Sequence, residues 1–169
     1  MSCFSPAKIK IEEFRTTDRI TYHAFLVEGF TIDKTKEKPT ELTSAAAAFP
    51  YREDIKRGDA LPEVIDETIK LEAIVLNGER QNIHQSKVQY QRAFVLKSGD
   101  WWVVQTAFES NVSCYTFADD LIAWGCESAY SLGYESKDMG WYELGGAQIQ
   151  TQVKGAKVQQ PDGWVILSK

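Results

Sequence analysis

The segment KVQYQRAFVLKSGDWWVVQTAFE, residues Lys87–Glu109, decides the fold class of this sequence. Two runs rich in valine, phenylalanine, tyrosine and tryptophan flank Lys97–Asp100, which reads Lys-Ser-Gly-Asp. β-Branched and aromatic residues favour strands, and glycine in a tight turn adopts backbone angles that other residues avoid. The segment therefore predicts a β-hairpin and a fold built on antiparallel sheet.

Trp101 and Trp102 are neighbours in the second strand of this hairpin. Successive side chains of a strand point to opposite faces of the sheet, so the two indoles are expected on different sides. If one belongs to the core, the other faces solvent, a helix layer or a partner. The pair is therefore the first candidate for a recognition surface.

Alternating or β-rich segments predict further strands on both sides of the hairpin. One of them ends at an Asn77-Gly78 turn, and another follows Pro161-Asp162-Gly163, where proline and glycine preset the turn angles. A helix over 63–76 competes with the strand before the first of these turns. Together with the hairpin they give about seven strands, the additional ones over residues 8–14, 19–32, 68–76, 141–144, 149–153 and 164–167.

Residues 116–132 carry the clearest helical pattern. Thr116 can cap the first turn, with Asp119 as the capping-box acid, and Gly133 is placed to end the helix. A large apolar stripe and a stripe of small residues lie side by side at helical spacing, so this helix is expected to pack on a sheet face.

Two short helices are predicted as well. Residues 42–49 contain four consecutive alanines and precede Pro50, and Pro62 suits the first turn of a helix over 62–67. The 169 residues fit one domain, 1–169. The predicted fold class is α+β: mainly antiparallel sheet, one principal helix and one or two short helices.

Composition restricts the class of function. A hydrophobic content of 43% predicts a filled core, and a net charge of −5 argues against binding nucleic acid or an anionic membrane. No secretory pattern and no run of about 20 apolar residues occurs. The three cysteines are interpreted as free thiols, and the protein is expected to be cytoplasmic.

Residues suited to catalysis or metal binding are few. The histidines are His23, expected to be a hydrogen-bonded core or edge residue, and His84, expected to be exposed. Buried inert thiols are favoured for Cys114 and Cys126, although a helix N-terminus could lower the pKa of Cys114. No metal, phosphate-binding or hydrolase motif occurs, so no cofactor or metal is predicted and an enzymatic activity is not favoured.

The aromatic residues support the leading functional hypothesis, a non-catalytic protein that contacts a protein partner or a second copy of itself. Tryptophan and tyrosine are favoured anchors at interfaces. The sheet face proposed for this contact carries Trp101 or Trp102, with Tyr90 and Tyr142.

The alternative hypothesis is a small-ligand-binding protein, or an enzyme, with an aromatic pocket between the sheet and the principal helix. In this pocket Trp124, Trp141 and one hairpin tryptophan would stack a ring. Arg92 or Asp120 would orient the bound molecule. A deep aromatic cleft would favour this hypothesis, and a flat apolar patch the first.

Overall fold

The computed structural model describes residues 10–16, 19–36, 45–51, 59–60, 69–83, 88, 91–106, 111–134, 138–144, 147–152 and 162–168. In chain order these form β1 (Ile11–Arg15), β2 (Thr21–Leu26), β3 (Thr31–Thr35), β4 (Ala45–Tyr51), β5 (Asp59–Ala60), β6 (Lys70–Leu76), β7 (Glu79–Arg80), β8 (Gln91–Lys97), β9 (Asp100–Thr106), α1 (Cys114–Trp124), β10 (Cys126–Tyr134), β11 (Asp138–Leu144), β12 (Ala147–Gln152) and β13 (Gly163–Ser168).

The strands form two antiparallel sheets. The large sheet has eight strands in the order β1-β2-β9-β8-β10-β6-β5, with β7 also paired to β6. The small sheet has five, in the order β12-β11-β4-β13-β3. Together with helix α1 they confirm the predicted α+β class.

The large sheet is the middle layer, because its two faces belong to two different hydrophobic clusters. Phe25 and Val103 pack with Phe49 and Val165 of the small sheet. The opposite face packs against α1 through a second set, in which Val104 meets helix residues. The face toward the small sheet is called the inner face below, and the other the helix face.

The central hairpin forms where the sequence predicts it. β8 and β9 pair antiparallel, with Lys97 opposite Asp100. Ser98 and Gly99 form the turn with φ of 51° and 82°, so both adopt the left-handed conformation of a two-residue hairpin turn. The strand predicted before Asn77-Gly78 also forms, as β6, and its helical alternative is wrong.

The principal helix is shorter than predicted. It starts at Cys114, directly after its N-cap Ser113, so the prediction of Thr116 as the cap is wrong: the Ser113 side chain accepts a hydrogen bond from the Thr116 amide. The helix ends at Gly125 with φ of 112°. The residues expected to continue it to 132 form β10, which lies between β8 and β6. The small residues of this segment are compatible with a helix and with a strand. Pairing with two neighbouring strands outweighs their weak helix propensity.

The short helix predicted over 42–49 is wrong at the alanines. Ala45–Tyr51 is strand β4, paired on one side with β13 and on the other with β11. Alanine prefers a helix by only a fraction of a kcal/mol over most residues, so two ladders of hydrogen bonds decide the conformation. The helix predicted over 62–67 lies outside the described residues.

Candidate functional site

One row of the inner face is polar, whereas the row beside it is apolar. The apolar row crosses four neighbouring strands. Its paired residues, in order, are Ile11, Phe25, Val103 and Phe94. The register also aligns a second set of residues across β1, β2, β9 and β8, each two residues away from a member of the apolar row. A step of two residues along a strand keeps the same face of the sheet, so both rows lie on the inner face. This set is called the polar row and consists of Glu13, His23, Gln105 and Arg92.

The polar row runs from solvent into the interior. The Glu13 side chain is 66% exposed and that of His23 25%, whereas Gln105 and Arg92 are 2% and 4% exposed. Buried polar residues are the unusual observation in a protein core, since charged residues are almost never fully buried without a partner. The inner end of this row is therefore the candidate functional site.

Arg92 has an incomplete set of partners. Its Nε donates a hydrogen bond to Gln105 Oε1 at 2.9 Å, and its guanidinium carbon lies 5.2 Å from the centroid of the Phe49 ring. Its Nη2 is buried and has no hydrogen-bond partner in the described part of the chain. Burial lowers the pKa of Arg92 to about 9, so the guanidinium still carries its charge at neutral pH.

The outer end of the row is a carboxylate–imidazole pair. His23 Nε2 lies 3.3 Å from Glu13 Oε2, across the β1–β2 pairing. The expectation of a hydrogen-bonded histidine is confirmed, although β2 is an inner strand of the large sheet and not an edge. His84 lies outside the described residues.

On the helix face, two of the tryptophans expected to stack a ligand contact each other instead. Trp102 is 6% exposed and lies edge-on to Trp124, with ring centroids 5.5 Å apart. Trp124 in turn lies flat against Phe14 at 4.7 Å and has Lys97 Nζ 3.9 Å above its ring. The aromatic side chains therefore fill this part of the space between the sheet and α1.

Asp120, the other polar group expected there, is used within the fold. It accepts a hydrogen bond from the Tyr22 hydroxyl at 2.5 Å, which ties β2 to the helix. Burial and this carboxylate both raise the pKa of Tyr22.

The residues predicted from the sequence to share one site lie in three places. Trp102, Trp124 and Asp120 are on the helix face, and Arg92 is on the inner face. Trp101 also faces inward, partly buried with its ring 6.3 Å from that of Tyr130, so the expectation of opposite faces for the two indoles is confirmed. Trp141 and Tyr142 belong to β11 of the small sheet, where they pair with Ala48 and Ala47. Tyr90 lies outside the described residues.

Glu13 and Gln105 were not recognised from the sequence. The available signal was alternation, because Gln105 follows Val103 and Arg92 precedes Phe94 at the two-residue spacing of one strand face. A polar residue that shares the two-residue spacing of core residues is the sequence pattern that indicates a buried polar position.

The cysteines of the described residues are buried. Cys114 and Cys126 are buried free thiols. Burial raises the pKa of each to about 12, opposite to the lowered pKa that a nucleophilic cysteine needs. The helix N-terminus beside Cys114 does not offset its burial.

Comparison with known proteins adds no function. No family model matches the chain, and no curated protein matches it. Among the described residues, no three His, Cys, Asp or Glu side chains are grouped so that they could hold a metal ion. In the same residues, no helix combines the length and apolar character needed to cross a bilayer.

Proposed function

We propose that this protein binds a small organic anion, and that Arg92 recognises a carboxylate of that ligand on the inner face. The observation that carries the proposal is the buried Nη2 of Arg92, which has no partner in the described part of the chain. A buried charge is costly unless it is paired, so a buried guanidinium whose Nη2 lacks a partner among the described residues favours binding of a counter-ion.

The contacts of Arg92 favour a carboxylate. Phe49 covers one face of the guanidinium and Gln105 accepts a hydrogen bond from Nε, and Nη2 is a buried in-plane donor without a partner among the described residues. Planar carboxylates accept hydrogen bonds from guanidinium in this plane. Because the group is shielded from water, the charge attraction is stronger than at an exposed arginine.

This proposal adopts the small-ligand hypothesis but places the ligand on the other side of the large sheet. Contact through an aromatic sheet face has less support, since Trp102 is almost fully covered and Trp101 packs against Tyr130. Among the described side chains, the exposed large hydrophobic residue is Val88, at 67%. Contact with a protein partner through aromatic residues stays a prediction.

The test measures the thermal stability of the full chain with benzoate, acetate or succinate at constant ionic strength. Benzamide, which has the shape of benzoate without its charge, is the control ligand. At 100 times its Kd, a ligand that binds only the folded state stabilises it by about 2.7 kcal/mol. At least one acid should raise the Tm of the wild type, and benzamide should not.

Two variants assign the effect to the site. Arg92→Gln should abolish the stabilisation by the acid, whereas Arg15→Gln, which removes an exposed arginine of β1, should retain it. Equal responses to benzoate and benzamide, or no response of the wild type to any of the three acids, would show that the proposal is wrong. Native mass spectrometry of the protein purified from its own source would identify the natural ligand.

A further inference from the structure

The small sheet ends at a strand without charge. β12 has the sequence Ala-Gln-Ile-Gln-Thr-Gln, and among the described residues it pairs only with β11. The outer side of an edge strand presents backbone N–H and C=O groups to any other strand, and proteins usually protect it with charged residues or proline. β12 contains neither.

The other edge strands of comparable length are protected. β1, at the edge of the large sheet, carries Glu12, Glu13 and Arg15 within five residues. β3, at the far edge of the small sheet, carries Asp33 and Lys34. The remaining edge strands of the large sheet, β5 and β7, have two residues each. The absence of charge is therefore particular to β12 among these described edges.

The sequence of β12 is complementary to itself. If two copies pair antiparallel about Gln150, Gln148 lies opposite Gln152 and Ile149 lies opposite Thr151. A glutamine amide both donates and accepts hydrogen bonds, so glutamine opposite glutamine is a compatible pair. Isoleucine and threonine are both β-branched and favour strands.

Charge disfavours the same centred arrangement at the other two edges. Antiparallel self-pairing about the middle of β1 brings Glu13 opposite Glu13, and about the middle of β3 it brings Asp33 opposite Asp33. Like charges directly opposite each other destabilise a sheet. In this centred register, β12 is therefore the one of these three strands that brings no like charges together.

We propose that two copies of this protein associate through β12, antiparallel about a two-fold axis, so that two five-stranded sheets become one of ten strands. Such an interface uses the same surface on both copies and closes at the dimer. The proposal does not depend on the anion site, since the polar row lies in the large sheet.

The first test is the mass of the full chain in solution by sedimentation velocity. The wild type should sediment at twice the chain mass of 19.1 kDa. Gln150→Lys places two ammonium groups opposite each other at the axis and should weaken the dimer at least tenfold. Thr31→Lys adds the same charge to the exposed edge strand β3 and should leave the dimer unchanged.

The second test measures register by oxidative cross-linking, with the wild type as the control for its own cysteines. Directly opposite residues have Cα atoms about 4.5–5.5 Å apart, within disulfide range. Gln150→Cys should therefore form a covalent dimer. Gln148→Cys alone should not, because the two positions lie about 14 Å apart at four residues of offset. A mixture of Gln148→Cys and Gln152→Cys chains should cross-link.

Three outcomes overturn the proposal. One is a wild-type chain that remains a monomer up to about 1 mM, a concentration at which even weak association is detected. Another is a dimer whose affinity Gln150→Lys leaves unchanged. The third is a β12 edge that pairs with a strand of a different protein. The cross-linking result decides the question if Gln150→Lys fails to fold.

Discussion

The guanidinium of Arg92 lies 5.2 Å from the ring centroid of Phe49, so a cation of the large sheet is covered by an aromatic side chain of the small sheet. A ring face attracts a cation, but it does not neutralise the charge. The lowered pKa of Arg92, about 9, has burial as its cause. Burial of the Arg92 charge against this ring therefore lowers the stability of the unliganded protein.

Arg92→Met should consequently make the unliganded protein more stable. Replacement of poorly compensated buried charge by an apolar side chain of similar volume is often stabilising, and we expect a gain of about 1 kcal/mol in the free energy of unfolding. Urea denaturation at pH 7 measures it. Arg15→Met, at an exposed position of β1, should stay within about 0.5 kcal/mol of the wild type. A loss of about 2 kcal/mol or more in Arg92→Met would mean that the guanidinium already has a counter-ion.

Tyr22→Phe should destabilise the protein by about 1.5 kcal/mol, because hydrogen bonds to charged groups contribute more than neutral ones. The lost bond joins the Tyr22 hydroxyl to Asp120 and links β2 to α1. Tyr115→Phe is the matched control, since its hydroxyl donates to the neutral carbonyl of Ile83 and should cost about 1 kcal/mol or less. Urea denaturation should rank the two variants in this order, and the reverse order would contradict the prediction.

Stability should fall above pH 9 because of the buried thiols. The pKa of Cys114 and that of Cys126 rise from an ordinary 9 to about 12 in the folded state. The stabilisation is complete below pH 9 and is lost toward pH 12, as the unfolded chain releases protons that the folded chain keeps. The loss is about 1.4 kcal/mol per pH unit for each thiol.

Variants separate these contributions. Cys114→Ala should flatten the decline in unfolding free energy between pH 9 and 11 by about 1.4 kcal/mol per pH unit. The lowered pKa of Arg92 acts in the opposite direction, since the folded state releases that proton first, so Arg92→Met should steepen the decline. Denaturant titrations at pH 8, 9, 10 and 11 measure both slopes. A Cys114→Ala slope equal to that of the wild type would contradict the assignment.

Ser113→Ala should destabilise the protein by about 1 kcal/mol, since Ser113 caps α1 by accepting a hydrogen bond from the Thr116 amide. Ser113→Asp keeps an acceptor at this position and adds a charge that suits the helix N-terminus, so it should retain the wild-type stability. Thermal denaturation compares the two. Equal losses in both variants would show that the cap does not stabilise the helix.

Local signals in the sequence predicted local structure well. The hairpin of β8 and β9 follows from strand-forming residues around Ser98 and Gly99, and its pairing needs only neighbours in the chain. The end of α1 was placed at Gly133 instead of Gly125, because both glycines can end a helix and the residues between them fit either pattern. Pairing of β10 with β8 and β6, which are distant in sequence, decided between them.

The candidate site could be predicted only in part, because it depends on register between distant strands. Arg92 was recognised as a candidate, but the sequence does not tell which residues lie across from it. Glu13 and Gln105 enter the same row through the pairings of β2, and a shift of one residue would send them to the other face. The aromatic pocket was misplaced for a related reason, since Trp141 belongs to the second sheet.

The position of β13 constrains how the protein is made. This strand lies between β4 and β3 in the small sheet, yet both precede it by more than 100 residues in the chain. While the ribosome is still producing residues 135–162, the strands of the large sheet are already synthesised but their inner face lacks its complete cover. A nascent chain that pauses in this interval displays an apolar surface of the kind that aggregates or recruits chaperones.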